Sequence, residues 1–434
     1  KEGCVATAFS WILLSIFGCM PFVISGEIPS FTNALFETIS GFTTTGASIL
    51  SDVESMSHGM MLWRCFTHWI GGMGVLVFLL AIIPMNSASG SNMNLMKAES
   101  PGPSVGKLVP RLKHTARILY VIYFGMTVLE VIFLMFGHMS LFDALCTAFG
   151  TAGTGGFGIK NDSFGSFSPY IQWVVTVFMI LFGVNFNFYY FVLFRNIRKA
   201  LSMEEVRTYL LIILGAITII TLSLMQTMAN IGDAIRHAAF QVASIITTTG
   251  YASADFDQWS QTCKTVLVIL MFVGACAGST GGGMKVSRLV IMFKTVVKEL
   301  SSYFHPKNIK KINMDGKPVE HEVVRAVNVY FITLMGIFTL SVFLVSLEGR
   351  DLVTNFTAVA SCLNNIGPGL SEVGPTRNFG GLTGFTKYVL MFDMLAGRLE
   401  LFPLLLIFNP GVYRDMIMGA WRGIKRRRQE RRAN

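Results

Sequence analysis

Eight apolar runs, most of them close to 20 residues long, constrain the fold of this chain more than any other feature. They cover residues 3–25, 66–84, 116–137, 170–194, 208–226, 262–277, 328–347 and 385–408. A helix of about 20 residues spans roughly 30 Å, the thickness of the hydrocarbon core of a bilayer. Helices of a large soluble protein would carry a polar stripe, which these runs lack. Only 14% of the residues are charged, against roughly 25% in soluble domains. The sequence therefore predicts an all-α polytopic membrane protein.

Positive charge is unevenly distributed along the chain. The net charge is +10, and Lys and Arg concentrate in residues 97–117, 195–207, 294–325 and the C-terminal tail. Three other segments are acidic or nearly neutral, namely residues 26–61, 138–169 and 227–260. By the positive-inside rule, the basic loops and both termini of this chain are predicted to be cytoplasmic. We expect the tail to contact anionic lipid headgroups or a soluble partner, and nothing favours nucleic acid.

Four times, two apolar runs enclose a shorter, glycine-rich and semi-polar segment. These segments read "FTNALFETISGFTTTGAS", "LFDALCTAFGTAGTGGFG", "AAFQVASIITTTGYASADF" and "LVTNFTAVASCLNNIGPGL". Each opens with helix-compatible sequence and then breaks at glycine, which predicts a helix, a half-helix, a loop and a helix. The predicted units are repeat 1 at 1–85, a cytoplasmic linker at 86–115, repeat 2 at 116–199, repeat 3 at 200–300, a cytoplasmic linker at 301–321, repeat 4 at 322–409 and a basic cytoplasmic tail at 410–434.

A half-helix and loop at membrane depth need a special setting. Their backbone polar groups are tolerated only where they are buried in protein or line a wet cavity. Four copies around a central axis provide that setting, with carbonyl oxygens replacing the water shell of a cation. The negative ends of the half-helices would also face the ion. The sequence thus predicts a pore built from four diverged units of one chain.

The run Thr-Thr-Thr-Gly occurs twice, in "GFTTTGAS" and "IITTTGYA". Aligning the units predicts that four glycines close the four loops: Gly46, Gly155, Gly250 and Gly367. Ordinary glycine breaks between helices explain each glycine alone, but not the same position in all four units. The predicted pore-lining residues, where a cation would bind, are Thr44, Thr45, Gly46, Gly153, Thr154, Gly155, Thr248, Thr249, Gly250, Asn365, Ile366 and Gly367.

At these residues the chain resembles the Trk/Ktr/HKT superfamily of cation transporters, and within it the bacterial TrkH-type potassium uptake proteins. Motifs that carry the resemblance include "THWIGGMG", "KAESPGP", "TAGTGGFG", "CAGSTGGGMK", "NNIGPGL" and "GRLE". The resemblance implies four M1–pore-helix–M2 repeats around a pseudo-fourfold, K⁺-channel-like pore, and a homodimer with a pore in each protomer. TrkH-type proteins carry a further helix pair before the first unit, so we expect sequence upstream of Lys1.

The resemblance also implies K⁺ uptake across the bacterial inner membrane through a selectivity filter. Family members that prefer Na⁺ tend to carry serine at the first filter glycine, so four glycines favour K⁺. A cytosolic RCK-type, TrkA-like ring is implied as regulator, with NAD(H) or ATP/ADP on that partner and no cofactor on this chain. The alternatives are a Na⁺-preferring pore, an H⁺- or Na⁺-coupled K⁺ symporter, and the K⁺-binding subunit of an ATP-driven pump.

A run of small residues interrupts the second apolar helix of the third unit, within a predicted intramembrane loop at 276–285. It comprises Gly278, Ser279, Thr280, Gly281, Gly282 and Gly283. Each glycine costs roughly 1 kcal/mol relative to alanine in a helix. One interpretation is a helix-packing groove of small residues. The other, implied by the resemblance, is a flexible gating loop just below the filter.

Three cations fall at or near membrane depth. Arg398 is predicted to lie mid-helix in the fourth unit, where a charge is expensive and usually functional or paired. The resemblance implies that it reaches the pore near the gating loop, as a barrier or latch. Lys285 and Arg288 are expected either to belong to the same region or to act as snorkelling anchors at the inner boundary.

Motifs for other chemistries are weak. "GTGGFG" fits a dinucleotide fingerprint, but it lacks the preceding β-strand that such a site needs. His68 has no second ligand one helical turn away and is expected to be a packing residue. The 7 cysteines contain no C-x-x-C motif and are expected to be buried packing residues. We therefore expect a transporter and not an enzyme.

Overall fold

The structure is a computed structural model that describes residues 2–74, 112–304, 311–411 and 414. Three parts of the predicted organisation lie outside the described residues. They are residues 75–84 of the first unit, the predicted linker at 86–115 up to residue 111, and nearly all of the basic tail. Within the described part, 4 helices are long and apolar enough to cross a membrane: Val5–Ser25, Arg117–Phe136, Glu204–Leu224 and His321–Ser346. These are the first helices of the four units, as predicted. They expose large apolar side chains such as Val121, Leu214 and Ile332, as lipid-facing helices do.

Each unit then contains a short pore helix, namely Phe31–Phe42, Leu141–Ala152, Ile231–Ile246 or Leu352–Leu363. Three of them begin at side-chain caps, in which Ser140, Asn230 and Asp351 accept a backbone N–H of the first turn. Such caps satisfy donors that the first turn leaves unpaired. The C-terminal halves of all four pore helices are buried, so these helices form the centre of the protein.

The second helices are shorter than the sequence predicts. They span His58–Gly72, Pro169–Phe182, Gln261–Val273 and Gly384–Arg398. Each starts after a hydroxyl cap whose oxygen accepts an N–H three residues on: Ser57, Ser168, Ser260 and Thr383. The four second helices thus begin with the same kind of hydroxyl cap although their sequences have diverged, which supports the predicted repeat.

The prediction of continuous second helices in units 2 and 4 is wrong. In unit 2 the chain bends by 91° between Pro169–Phe182 and Phe186–Leu193. In unit 4 the helix stops at Arg398, and Glu400 and Leu401 take positive φ before the short helix Phe402–Leu405. Hydropathy reports that a segment is buried in lipid or protein, and a break inside such a segment leaves the apolar pattern intact.

The full bounds of the first helices in units 1 and 2 and the other elements complete the fold. Helices span Glu2–Gly18 with Met20–Ser25, Leu112–Phe136, Ile197–Leu201 and Val286–Phe304, and 3-10 turns span Phe256–Gln258, Ser371–Val373 and Leu406–Phe408. Strands Asn313–Met314 and Lys317–Pro318 pair antiparallel within the second predicted linker. Six cysteines whose side chains the structure describes are free and buried, as predicted: Cys19, Cys65, Cys146, Cys263, Cys276 and Cys362.

Candidate functional site

The four loops that follow the pore helices share one backbone conformation. Their second residue has positive φ in every unit: Thr44 (54°), Thr154 (53°), Thr248 (61°) and Asn365 (55°). Two residues later a glycine also has positive φ: Gly46 (82°), Gly156 (81°), Gly250 (83°) and Gly367 (104°). β-Branched residues rarely adopt this region. The loops are therefore true structural repeats held in an unusual conformation.

The predicted equivalence of Gly155 with the other three loop glycines is wrong by one residue. Gly153 caps the pore helix of unit 2, as Thr43 caps that of unit 1. The equivalent of Gly46 is therefore Gly156, and Gly155 occupies the position of Thr45. Three glycines stand within four positions here, so glycine alone could not define the register. Gly156 is the loop residue that the sequence analysis missed.

The four loops form a closed ring. A Cβ placed on Gly46 would lie 2.0 Å from the carbonyl oxygen of Gly155, and one on Gly156 would lie 1.9 Å from that of Thr249. The corresponding distances are 1.9 Å between Gly250 and the Ile366 oxygen, and 2.7 Å between Gly367 and the Thr45 oxygen. Each loop glycine thus touches the next unit, and the fourth unit returns to the first.

The residue before each loop glycine is fixed by its own pore helix. The amides of Thr45, Gly155, Thr249 and Ile366 donate to pore-helix carbonyls at 2.8–2.9 Å. Within the described residues, the carbonyl oxygens of these same four residues accept no hydrogen bond. The result is a ring of four carbonyl groups with free lone pairs beside the C-terminal, negative ends of four half-helices. Such a ring has the chemistry to replace the hydration shell of a cation.

A buried ion pair that the sequence analysis missed holds the outer side of the ring. Glu37 accepts from Arg64 Nε at 2.7 Å and from the amide of Ile49 at 2.9 Å. Arg64 also donates to the carbonyl of Gly158 at 3.1 Å. The pair therefore joins the chain leaving the first loop to the chain leaving the second. A charge on each of two neighbouring membrane segments was the signal that could have found it.

Tyr251, directly after Gly250, is a second missed residue. Its side chain is fully buried, and its hydroxyl donates to the carbonyl of Thr147 at 3.2 Å. Thr147 lies on the pore helix of unit 2. This hydrogen bond links the third loop to the pore helix of unit 2.

The small residues of unit 3 form an irregular segment, residues 274–285, between helices Gln261–Val273 and Val286–Phe304. The amide of Gly282 donates to Thr248 Oγ1 at 2.7 Å. A Cβ on Gly282 would lie 2.8 Å from Asn365 Cβ. The segment therefore contacts the loops of units 3 and 4 directly. The predicted loop at 276–285 falls within this irregular segment, and its location inside the membrane and its gating role stay predictions.

Arg398 is the last residue of its helix, so its predicted mid-helix location is wrong. Glycine and two positive-φ residues around it end the helix, which the apolar pattern does not reveal. Its guanidinium donates to the Thr280 carbonyl at 2.9 Å and to the Gly72 carbonyl at 3.0 Å, and also to that of Gly71. Arg398 thus links the irregular segment to the end of the second helix in unit 1.

The two neighbouring cations do not snorkel. Lys285 is 1% exposed, and its ammonium donates to the carbonyls of Gly281 and Gly282 within the irregular segment. Arg288 forms an ion pair with Glu400 and lies 3.9 Å from the centre of the Tyr330 ring. Both side chains therefore hold the region around the segment, and the expectation that they snorkel is wrong.

Glu205, at the start of the first helix of unit 3, is a further missed residue. Its Oε1 accepts from the amide of Ala277 at 2.6 Å and from that of Ser287 at 3.1 Å. Its Oε2 accepts from Asn185 Nδ2 at 3.3 Å, at the break of unit 2. Glu205 therefore fixes both ends of the irregular segment. A carboxylate at the edge of an apolar run was its only sequence signal.

Comparison with known proteins identifies the family. The family model of TrkH, described as a cation transport protein, matches residues 1–417. This chain belongs to the TrkH family. The TrkH potassium uptake protein of Salmonella typhimurium is 35% identical to it, over 96% of this chain and 86% of the relative. The TrkG potassium uptake protein of Escherichia coli is 34% identical over the same shares of both chains.

A solved structure agrees with the fold. The crystal structure of the potassium transporter TrkH from Vibrio parahaemolyticus superposes with a TM-score of 0.83 at 32% identity, covering 94% of this chain and 85% of that one. The match confirms the predicted all-α fold with M1–pore-helix–M2 repeats. The TrkH family consists of membrane transport proteins, which agrees with the expectation of a multi-pass transporter and not an enzyme.

Proposed function

We propose that this protein takes up K⁺ across the bacterial inner membrane through the ring of four loops, which acts as its selectivity filter. The observation that carries the proposal is the closed ring of four carbonyl groups that accept no hydrogen bond within the described residues, each on a residue whose own amide donates to a carbonyl of its pore helix. The relatives named above as potassium uptake proteins support the choice of ion.

K⁺ is preferred over Na⁺ because the four loop glycines leave the carbonyl groups unobstructed. Positive φ at Gly46, Gly156, Gly250 and Gly367 allows a backbone turn that other residues resist. The membrane potential drives entry, contributing about 2.3 kcal/mol per charge for each 100 mV. An H⁺ or Na⁺ gradient is not required.

The irregular segment acts as a gate beneath the filter, with Gly278–Gly283 as its flexible part. Its contact with Thr248 and with the loop at Asn365 supports this role, because a segment in that position obstructs the exit from the ring. Arg398 is the latch, since it holds the Thr280 carbonyl against unit 1. Its charge also opposes passage of a cation.

The protein works as a homodimer with one pore in each protomer, and its basic loops and termini face the cytoplasm. A cytosolic nucleotide-binding ring of the RCK type regulates it, and NAD(H) or ATP/ADP binds to that partner. The clusters of Lys and Arg in residues 195–207 and 294–325 support this orientation. They also offer a charged surface for such a partner.

Ion flux into liposomes that contain the purified protein tests the function. We expect K⁺ and Rb⁺ to enter faster than Na⁺ and Li⁺ when only a membrane potential is applied. Equal or faster Na⁺ entry would establish the Na⁺-preferring alternative. Flux that requires an H⁺ or Na⁺ gradient would establish a symporter. A requirement for ATP and a pump partner would establish a pump subunit, which membership of the TrkH family disfavours.

A further inference from the structure

The second unit departs from the other three at the filter. Thr45, Thr249 and Ile366 present a side chain behind the ring, whereas their equivalent in unit 2 is Gly155. A glycine there leaves a gap behind one of the four carbonyl groups. An unfilled gap beside a selective ring would allow that carbonyl to move, because packing is what restrains a loop.

The imidazole of His68 fills this gap. A Cβ on Gly155 would lie 1.9 Å from His68 Nδ1, and its three nearest atoms would all belong to the His68 ring. The His68 side chain is fully buried, with its ring 4.0 Å from the centre of the Phe157 ring. No hydrogen bond joins either ring nitrogen to the Gly155 loop among the described residues. The contact is therefore one of packing.

The positions of equivalent residues along the second helices also suggest that the ring of His68 compensates for the side chain that Gly155 lacks. His68 lies as far from its N-cap Ser57 as three methionines lie from the equivalent caps, and these are Met179, Met271 and Met394. In ring order, the unit that follows each methionine-bearing helix carries a side chain at the filter position, namely Thr249, Ile366 and Thr45. Unit 2, which follows the His68 helix, carries glycine there.

We propose that His68 is a positioning residue of the filter, whose ring replaces the missing side chain of Gly155 and holds that carbonyl in the ring. The inference rests on the proposed function as a K⁺-selective pore. His68 contacts the loop and not the ion, so it acts on selectivity through Gly155.

Gly155 is well suited to a substitution that compensates for a change of the His68 side chain. Its φ is not positive, so its backbone accepts a side chain, and the three atoms nearest to a Cβ there all belong to the ring of His68. Its neighbours differ. A Cβ on Gly153 would meet the His68 carbonyl at 2.3 Å, and one on Gly156 would meet the Thr249 carbonyl at 1.9 Å. No change of the His68 side chain relieves these backbone contacts.

The test measures the ratio of K⁺ to Na⁺ flux in liposomes for His68→Met, Gly155→Thr and the double variant, which recreates the pairing of the other units. We expect each single variant to lower the ratio about threefold or more, within the range of coupling between contacting residues. The double variant should recover most of the loss. His68→Phe keeps a ring of similar shape and should retain the ratio of the parent.

Two controls make the test specific. Gly156→Ala should lose selectivity and should not be rescued by His68→Met, because its obstacle is a backbone oxygen. His58→Met changes an exposed histidine at the start of the same helix and should leave the ratio unchanged.

Two results would overturn the proposal: losses in the double variant equal to the product of the single losses, or a loss in His68→Phe as large as in His68→Met. If a single variant does not fold, the double variant decides the test. Recovery of both folding and the ratio of K⁺ to Na⁺ flux would support the proposal. No recovery would overturn it. A parent protein that does not prefer K⁺ would instead remove the proposed function itself.

Discussion

Threonine at positive φ is the most demanding feature at the scale of single residues. Thr44, Thr154 and Thr248 occupy a region that costs of order 1–3 kcal/mol for each such residue. Neighbouring hydroxyls help to hold it, since Thr43 Oγ1 lies 2.8 Å from Thr45 Oγ1 and Thr247 Oγ1 lies 2.8 Å from Thr249 Oγ1. A loop kept in this state by its surroundings is preorganised for a ligand, which suits a filter that must not collapse around a smaller ion.

Gly46→Ser tests the filter at this scale. The new Cβ would meet the Gly155 carbonyl at 2.0 Å, at a φ of 82°, so the loop must shift and the carbonyl with it. We expect the ratio of K⁺ to Na⁺ flux to fall several-fold. Gly26→Ser is the matched control, because Gly26 has a φ of 78° but nothing within 4 Å of its Cβ position. It should cost about 1–2 kcal/mol in stability and leave the ratio unchanged. Equal ratios in Gly46→Ser and the parent would remove Gly46 from the filter.

At the scale of elements, all four second helices stop close to the loops, and in unit 3 a long irregular segment follows at residues 274–285. The ends of these helices supply carbonyl groups that side chains from other units bind, as Arg398 binds Gly71 and Gly72. Glu205 instead supplies a carboxylate, which accepts hydrogen bonds from backbone amides at both ends of the segment. Pairing of its polar groups in this way is what an irregular segment needs at the membrane depth that we propose for it.

Arg398→Ala tests the gate. The change removes a positive charge from the path of the cation and releases the Thr280 carbonyl. We expect K⁺ flux without any cytosolic partner to rise several-fold, with the ion preference unchanged. Shortening Gly278–Gly283 should act in the same direction. Arg325→Ala, an exposed arginine on the first helix of unit 4, is the control. If both gate variants fold well but conduct no more than the parent, the segment is not a gate, and loss of stability without gain of flux would favour a packing groove.

The cap of the fourth pore helix gives a pH-dependent prediction. The Thr354 hydroxyl and amide donate to Asp351 at 2.5 Å and 2.9 Å, and the hydrogen bond from Thr354 holds the pKa of Asp351 below its usual range. Because the folded-state pKa is lowered, this stabilisation is present above the unfolded pKa of about 3.9. It is lost as the pH falls through the folded pKa.

Asp351→Ala should therefore cost about 1 kcal/mol at neutral pH, measured as a lower melting temperature in detergent. The difference from the parent should shrink at acid pH. Asp351→Asn is the control, since asparagine caps helices as well as aspartate but does not titrate. A melting difference for Asp351→Ala that stays constant down to the acid limit of the assay would contradict the role assigned to this carboxylate.

At the scale of the whole molecule, one chain supplies all four quarters of the ring, and contacts return from unit 4 to unit 1 through Gly367 and Thr45. Asn365 adds a hydrogen bond to Thr45 Oγ1 at 3.0 Å across the same junction. The first helices surround this centre and present apolar side chains outward. The ring is therefore complete within one chain, and the pore that we propose would belong to each protomer.

Mixing protomers tests this arrangement. Gly250→Val should block conduction, because its Cβ would meet the Ile366 carbonyl at 1.9 Å. In liposomes made from mixtures of this variant and the parent, K⁺ flux should follow the fraction of parent linearly, while crosslinking in membranes should trap dimers. A fall with the fourth power of that fraction would indicate one pore shared by four chains and would contradict the fourfold architecture of a single chain.

The sequence by itself determined the membrane class, the four units and the positions of three of the four loop glycines. Apolar length, charge placement and repeated turn residues are local properties that survive divergence. It also indicated the irregular segment, because five glycine or serine residues in Gly278–Gly283 cannot sustain a helix.

Only the tertiary structure decided how the units meet. Consecutive glycines left the register of unit 2 open, and the ring contacts of Gly156 settled it. Hydropathy did not reveal where the second helices stop, since buried breaks are as apolar as the helices around them. The partners of Arg398, Glu205 and His68 lie far away along the chain, and such contacts arise only when the elements pack. Packing, and not local sequence, decides which buried polar groups pair.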